Sequence, residues 1–353
     1  MRLHPAGPLL QPLLHKLKPP LNHNPPNNTK KMSSSTQSPP LPPLPEVERL
    51  APGCIRILGG NPGKFTLQGT NTYLVGTGAS RLLIDTGEGR PSWLAALRRV
   101  LREERATLAA ALLTHWHHDH TGGVAGLLAA WPGTPVHKHQ PEAGQVGLED
   151  GQVFSVEGAT LTAAHTPGHT ADHVVLFWAE RGALFTGDNV LGHGTSVFED
   201  LATYVASLER MRRLYGDRDG GEEGAVEATA YPGHGPVLLD GPGKIAEYIR
   251  HRAQREEQVV QTLRSALGSA DAAAVAAGEG SGKGATGNGS GGDAWTVMEV
   301  VRSIYRDVPE SLHPAAAGGV VQILRKLQRE GRVVEVDGGE RWRLAPGSGR
   351  SVL

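Results

Sequence analysis

The residues from Leu112 to Gly123 read LLTHWHHDHTGG, and they constrain this chain more than any other stretch. Four histidines and one aspartate fall within the six residues His115–His120, after an apolar run and before two glycines. A neutral imidazole binds a borderline metal ion such as zinc, and a carboxylate oxygen suits the same ion. Histidines two apart in a loop leaving a strand, His115 and His117, can converge on one ion. Asp119 and His120 can then face a second. A surface loop with incidental histidines needs no such density and has no reason to recur.

The pattern does recur. HTPGHTADH places His169 after a Pro-Gly turn, LFTGDNV places Asp188 at a strand end, and YPGHGP places His234 in another Gly-bracketed turn. LLIDTG puts Asp85 in the same context. Each of these residues follows a short apolar strand and has glycine close by, which lets the backbone approach an ion. The chain has one cysteine, Cys54, so a disulfide framework and a cysteine-based zinc site are both excluded. Cys54 itself reads as a small buried apolar residue. Any metal must be held by histidine and carboxylate.

The surroundings of these motifs are those of layered α/β structure. NTYLVGTG and RLLIDTGEG form a predicted hairpin, and SWLAALRRVLREE carries Trp93, Leu94, Leu97, Val100 and Leu101 at helical spacing. LAAALLT is a short buried strand that delivers the chain to the histidine cluster, and GGVAGLLAAW follows it as a helix. ATLTAAHT, HVVLFWA, ALFTGD and EATAYPG are further strands, with a helix from Leu201 to Tyr215 between the last two. Such alternation implies sheets with helices outside them. GDRDGGEEGA, from Gly216 to Ala225, reads as a surface loop. A long charged helix is predicted from Pro242 to Leu267.

The chain divides into four parts on composition. Residues 1–48 are a disordered extension rich in Pro, Asn and Ser; a mitochondrial transit peptide, or an upstream extension before Met32, is the other reading. Residues 49–268 form the metal-bearing domain. Residues 269–294 are a Gly/Ser-rich linker. Residues 295–346 are a compact unit of helix, helix and hairpin, resembling a winged helix. Thr296 and Glu299 stand at capping-box spacing, and Val320, Ile323, Leu324 and Leu327 share one helix face. Arg325, Lys326 and Arg329 lie on the other side of that helix. They serve either to contact nucleic acid or to pack the unit onto the main domain.

HxHxDH followed by separate His, Asp and His motifs resembles the metallo-β-lactamase superfamily and its αββα sandwich, over roughly residues 53–267. The resemblance implies that His115, His117 and His169 hold one metal, that Asp119, His120 and His234 hold a second, and that Asp188 bridges them. It makes Asp85 a residue that orients a ligand from behind, and Asp119 a group that accepts or relays a proton. His118 is expected at the surface or just behind the ligands, His173 could line the pocket mouth, and His193 lies just past the implied bridging aspartate; His173 and His193 could each touch substrate. The implied cofactor is two Zn2+ ions activating water for attack, which serves acyl transfer to water and phosphodiester cleavage alike.

Finer features, NPGKFTLQGTNTYLVGTG, FTGDNVLGHG with Asn189 and His193, and WTVMEVVRSIY, are similar to a lactamase-like subgroup with a C-terminal winged-helix-like module. That subgroup includes fungal thioesterases that release polyketides from an acyl carrier protein, and an animal mitochondrial endoribonuclease acting on single-stranded RNA. The expected function is therefore a thioesterase partnered by the acyl carrier protein of a polyketide synthase, in the cytoplasm. The alternatives are cleavage of single-stranded RNA, in the mitochondrial matrix, and a catalytically silent binding protein of the same fold. The net charge of −1 and an aromatic content of 5% argue against strong RNA binding. No stretch approaches the roughly 20 apolar residues of a membrane helix.

Overall fold

In a β-strand successive side chains face opposite ways, and the strand before the histidine cluster uses both faces. On β5 (Thr107–Leu113), Ala110 and Leu112 belong to one apolar cluster, and Ala111 and Leu113 to another. The same division runs through β3 (Asn71–Val75), where Tyr73 and Val75 face away from Leu74, and through β4 (Ser80–Ile84), where Leu82 and Ile84 face away from Leu83. A sheet apolar on both faces must be covered twice, and that requirement builds the four layers seen here. A computed structural model describes residues 41–216, 228–276 and 294–346.

The first sheet has the order β1 (Val47–Ala51), β2 (Cys54–Leu58), β3, β4, β5, β6 (Val136–Lys138), β7 (Val146–Gly147). It is antiparallel from β1 to β4 and parallel from there on. The second sheet runs β12 (Ala230–Pro232), β11 (Ala183–Gly187), β10 (Val174–Trp178), β9 (Ala159–His165), β8 (Val153–Val156), with β11 and β12 parallel. Between the sheets, Tyr73, Leu82, Ile84 and Leu112 pack on Leu161, Leu176, Trp178, Phe185 and Tyr231. Outside the first sheet lie α1 (Pro91–Glu103) and, beyond the four-residue α2 (His118–Thr121), α3 (Val124–Ala130). Outside the second lie α4 (Leu201–Leu214) and α5 (Gly241–Ala276). This is the αββα sandwich that the resemblance to the metallo-β-lactamase superfamily implies. Each leucine buried in these layers contributes roughly 2 kcal/mol.

Cys54 opens β2 and is wholly buried between the sheets, where burial pushes its thiol far above the usual range. The pair β1 and β2 was not foreseen, because Pro52 and Gly53 break VERLAPGCIRIL and its charged residues mask the alternation. Helix α5 corrects another expectation: it continues nine residues past Leu267, so the segment 269–276 is helix rather than linker. ADAAAVA within it is mostly alanine, the strongest helix former. Of the expected extension 1–48, residues 1–40 lie outside the described residues, as do the insert from 217 to 225 and the remainder of the linker to 293, whereas Val47 and Glu48 belong to β1 rather than to a disordered extension.

The C-terminal module consists of β13 (Trp295–Thr296), α6 (Val297–Ile304), α7 (His313–Arg329), β14 (Val333–Val336) and β15 (Arg341–Leu344). Its capping box is formed: Thr296 N–H donates to Glu299 at 2.8 Å, and Glu299 N–H to the Thr296 hydroxyl at 3.2 Å. Val300, Leu324, Leu327 and Trp342 share a core with Leu201 of α4 and with Val259, Val260 and Leu263 of α5. The basic face of α7 joins in. Lys326 pairs with Glu256 and Arg329 with Asp200, each at 2.6 Å, while Arg325 is exposed. Two of the three cations therefore pack the module onto the main domain. Among the described residues no helix is long and apolar enough to cross a membrane.

Candidate metal centre

Strand direction gathers the ligands at one end of the sandwich. Strands β4 and β5 are parallel, and Asp85 and His115 stand just past their C-terminal ends. Strand β9 is antiparallel to β10, which is antiparallel to β11, so β9, β11 and β12 share a direction. His169, Asp188 and His234 follow those three strands. Asn71 N–H and Nδ2 bind the carbonyls of Gly233, Pro232 and Gly235 at 2.7, 2.8 and 2.9 Å, stitching the His234 turn to the first sheet. Gly233 is required by crowding: a β-carbon there would collide with Asp188 Oδ1 and His120 Cε1.

The seven implied ligands come together in two groups, His115, His117, His169 and Asp188 in one, and Asp119, His120 and His234 in the other. Within each group the ligand atoms lie within 4.8 Å of one another. Asp188 stands between the groups. One of its oxygens lies 3.4 Å from His120 Nε2, and the other 3.3 Å from His234 Nε2 and 3.7 Å from His169 Nε2.

Behind three of the imidazoles, those of His120, His115 and His169, a partner fixes which nitrogen faces inward. Asp85 accepts from His120 Nδ1–H at 2.8 Å and from Thr114 N–H at 2.8 Å. Thr114 Oγ1 donates to Asp85 at 2.9 Å and accepts from His115 Nδ1–H at 3.0 Å. The carbonyl of Val197 accepts from His169 Nδ1–H at 2.9 Å. Thr70 donates to Asp119 Oδ2 at 3.2 Å and is braced by Asn61. Thr70, Thr114, Asn61 and Val197 were not foreseen as parts of the site. Only Thr114 had a signal, its place between strand end and cluster. Asp85 has φ +58, a left-handed conformation that a non-glycine residue keeps only when its contacts over-determine it.

The electrostatics are those of a cation site. Burial pulls Asp188 upward, but His234 and His120 together hold it well below the carboxylate range. Asp119 is lowered too, against its burial, by hydrogen bonds with His120 and His234. Burial, aided by neighbouring imidazoles, keeps His115 and His117 below the usual histidine value. His120 and His234 are raised against their burial by Asp188, His234 to about 9. Ring nitrogens face one another at 2.9 Å (His115 and His117), 3.1 Å (His117 and His169) and 3.4 Å (His120 and His234). Lone pairs so placed repel unless a proton or cation lies among them. Asp188 Oδ1 is buried without a hydrogen-bond partner, an acceptor that a metal ion would satisfy. The donor set fits two ions of the zinc type.

A cavity of about 350 Å³ opens above this floor. His117, Asp119, His169, Asp188 and His234 reach it from below, and Phe65, Leu67, Leu191 and Val197 wall it. His193 is exposed at the rim. His118 is exposed and takes no part among the ligands. His173 corrects an expectation. It is completely buried beneath the site, its Nε2 accepting from Asp188 N–H at 3.1 Å and its Nδ1 hydrogen-bonding Thr166 at 3.2 Å. Thr166 N–H donates to His173 O at 2.8 Å, which folds the loop back into β10 and turns His173 inward.

Comparison with known proteins agrees with this geometry. The description "Metallo-beta-lactamase superfamily" matches residues 65–143 and 139–234, and "Beta-lactamase associated winged helix domain" matches 296–342. An atrochrysone carboxyl ACP thioesterase of Aspergillus chevalieri is 44% identical over 307 residues, covering 86% of this chain and 90% of its own. The lactamase-like protein aptB of Emericella nidulans is 44% identical over 295 residues, covering 83% and 86%. Among solved structures, a beta-lactamase domain protein from Burkholderia ambifaria has a TM-score of 0.63 at 18% identity, covering 85% of this chain and 93% of its own. A metallo-beta-lactamase family protein of Thermus thermophilus gives 0.59 at 20% identity, covering 84% and 100%. Both show the same fold. The chain is a metal-dependent hydrolase belonging to the metallo-beta-lactamase superfamily, in the lactamase-like group that carries a beta-lactamase-associated winged helix domain.

Proposed function

We propose that this chain hydrolyses the thioester between a polyketide acyl group and an acyl carrier protein. The observation that carries the reading is the pairing of the seven-ligand floor with an apolar-walled cavity, in a chain 44% identical to a named ACP thioesterase along most of both lengths. Two Zn2+ ions are the proposed cofactor. His115, His117 and His169 would hold one, Asp119, His120 and His234 the other, and Asp188 both. Such a centre, when bound, lowers the pKa of water towards 7 and polarises a carbonyl oxygen.

The chain's own residues supply the rest. Asp119 reaches the cavity with its Oδ2 held by Thr70 and 3.1 Å from His234 Nε2, so its carboxylate accepts the proton that the attacking water gives up. Asp85 and Thr114 keep His120 and His115 in register from behind. Phe65, Leu67, Leu191 and Val197 take the acyl group and exclude water from it. A thiol leaving group has a pKa of about 8.5, so it departs without a strong general acid. Among the described residues lining the cavity, Lys64 is the one lysine or arginine. A nucleic-acid backbone calls for several, and Lys326 and Arg329 of the module are paired with Glu256 and Asp200 of the main domain. These observations favour the thioester over RNA.

The test offers one preparation both substrates. An acyl thioester of a carrier protein should be turned over by the wild-type protein with added zinc, and at a rate lower by at least ~10³-fold by Asp119→Ala. Metal-dependent cleavage of single-stranded RNA with no thioester turnover would overturn the proposal.

A further inference from the structure

Helix α5 touches both the C-terminal module and the wall of the metal pocket. Tyr248, Arg252 and Glu256 follow at four-residue spacing on it and so share a face. Tyr248 donates to the carbonyl of Gly194 at 2.9 Å and accepts from Leu191 N–H at 3.1 Å. Arg252 donates from Nη2 to the carbonyl of Ser196 at 2.7 Å, with its guanidinium 4.8 Å from the centre of the Phe198 ring and 5.6 Å from that of Tyr204. Glu256 takes Lys326 and Arg332 of the module, each at 2.6 Å.

The same wall closes on a metal ligand. Val197 O and Ser196 Oγ meet His169 Nδ1 at 2.9 and 3.3 Å, and Glu199 N–H donates to Gly168 O, beside His169, at 2.7 Å. At its far end Asp200 divides its carboxylate. Oδ1 caps α4 through Thr203 N–H at 2.9 Å, and Oδ2 accepts from Arg329 of the module at 2.6 Å. The segment from Leu191 to Asp200 is thus gripped by His169 on one side and by α5 and the module on the other.

We propose that α5 and the C-terminal module form a strut that positions this wall, and through the Val197 carbonyl holds the His169 ring in place for its metal. Arg252 is the positioning residue at its centre. The guanidinium both donates to Ser196 O and lies over two rings; a lysine keeps a donor but not the planar fork. The module's cations complete the strut through Glu256 and Asp200, which gives the winged helix a part in the site with no nucleic acid involved. The inference rests on the metal reading above.

The test measures zinc affinity of metal-stripped protein against a chromophoric chelator, with circular dichroism on the same samples. Outer partners of metal-ligating histidines are worth about 10–100-fold in affinity. Arg252→Ala should therefore bind zinc roughly tenfold or more weakly with its dichroism unchanged, and Arg252→Lys should recover part of the loss. Asp200→Asn keeps an N-cap acceptor but drops the charge, and should weaken zinc by about two- to fivefold. A folded Arg252→Ala binding zinc within about twofold of wild type would overturn the strut. If that variant does not fold, Arg252→Lys decides in the same way: weakened zinc with native dichroism supports the strut, and unchanged zinc overturns it. Wild-type protein that takes up no zinc would instead sink the metal reading, and this inference with it.

Discussion

The floor of the pocket and its rim are built in opposite ways. On the floor, His115 and His120 have no exposed surface, and the inner ligands are oriented from behind by Asp85, Thr114 and the Val197 carbonyl. At the rim, Phe65 is 76% exposed and Val197 64%, and the ring contact of Phe65 is Lys64, 5.4 Å from its centroid. Val197 belongs to both, its carbonyl bonded to His169 and its side chain open to the cavity. The difference teaches where each property resides. A reaction that depends on ångström placement sits where side chains are over-determined. On the proposed function, the choice of acyl group sits where they are free to be replaced.

If that division holds, the floor should break sharply. Asp188→Asn removes the charge that faces both ligand groups. It is expected to lower thioester turnover by at least ~10³-fold and to reduce bound metal from two ions per chain, read by elemental analysis. Full occupancy with activity within tenfold of wild type would show that Asp188 does not bridge. Metal removal tests the same floor without a mutation. A metal that binds the folded chain and not the unfolded one stabilises it, so zinc at 100 times its Kd should raise stability by about 2.7 kcal/mol. Thermal unfolding with and without a chelator would show this, and an unchanged Tm would contradict it.

One layer back the effect should shrink while keeping its sign. Asp85→Asn preserves shape but weakens the acceptor for His120 Nδ1–H and Thr114 N–H. The expected loss is about 10–100-fold in zinc affinity or kcat, with KM nearly unchanged. A change confined to KM would place Asp85 in substrate binding and blur the line between floor and rim.

The two regions also differed in how far the sequence disclosed them. His115, His117, Asp119, His120, His169, Asp188 and His234 stood out because ligand-type residues are dense and each follows an apolar strand. The strand ends then had to meet, and in the fold they do. His173 misled because closeness in sequence to His169 suggested closeness to the cavity, whereas a tight loop turns it under the site. Arg252 and Tyr248 were invisible for a different reason. On a helix of alternating charges an arginine that props a loop has the same local pattern as one that meets solvent. The basic face of α7 was legible as a face, but its partners, Glu256 and Asp200, lie 70 and 129 residues away. Sheets with helices outside them could be inferred from the alternation of strands and helices, while β1, β2, β6, β7 and β8 were too short or too interrupted by charge to register.

The rim should give the mildest break. Phe65 reaches the cavity wall from an exposed loop whose base, Asn61 and Thr70, is hydrogen-bonded at 2.9 and 3.0 Å. Phe65→Ala removes apolar contact with the acyl group while leaving that base, and therefore Asp119, as it was. Tenfold in binding corresponds to about 1.4 kcal/mol, a fraction of what a buried phenyl ring contributes. The expected outcome is a rise in KM of roughly tenfold for a long or aromatic acyl thioester, with kcat within about twofold. Acetyl thioesters, too short to reach the wall, should show almost no change. Comparing the two substrates matters more than either alone, because a loss shared equally by both would mean that the loop acts on Asp119 through Thr70 rather than on the acyl chain. The rim would then be an extension of the floor, and the choice of acyl group would have to be sought among Leu67, Leu191 and Val197 instead.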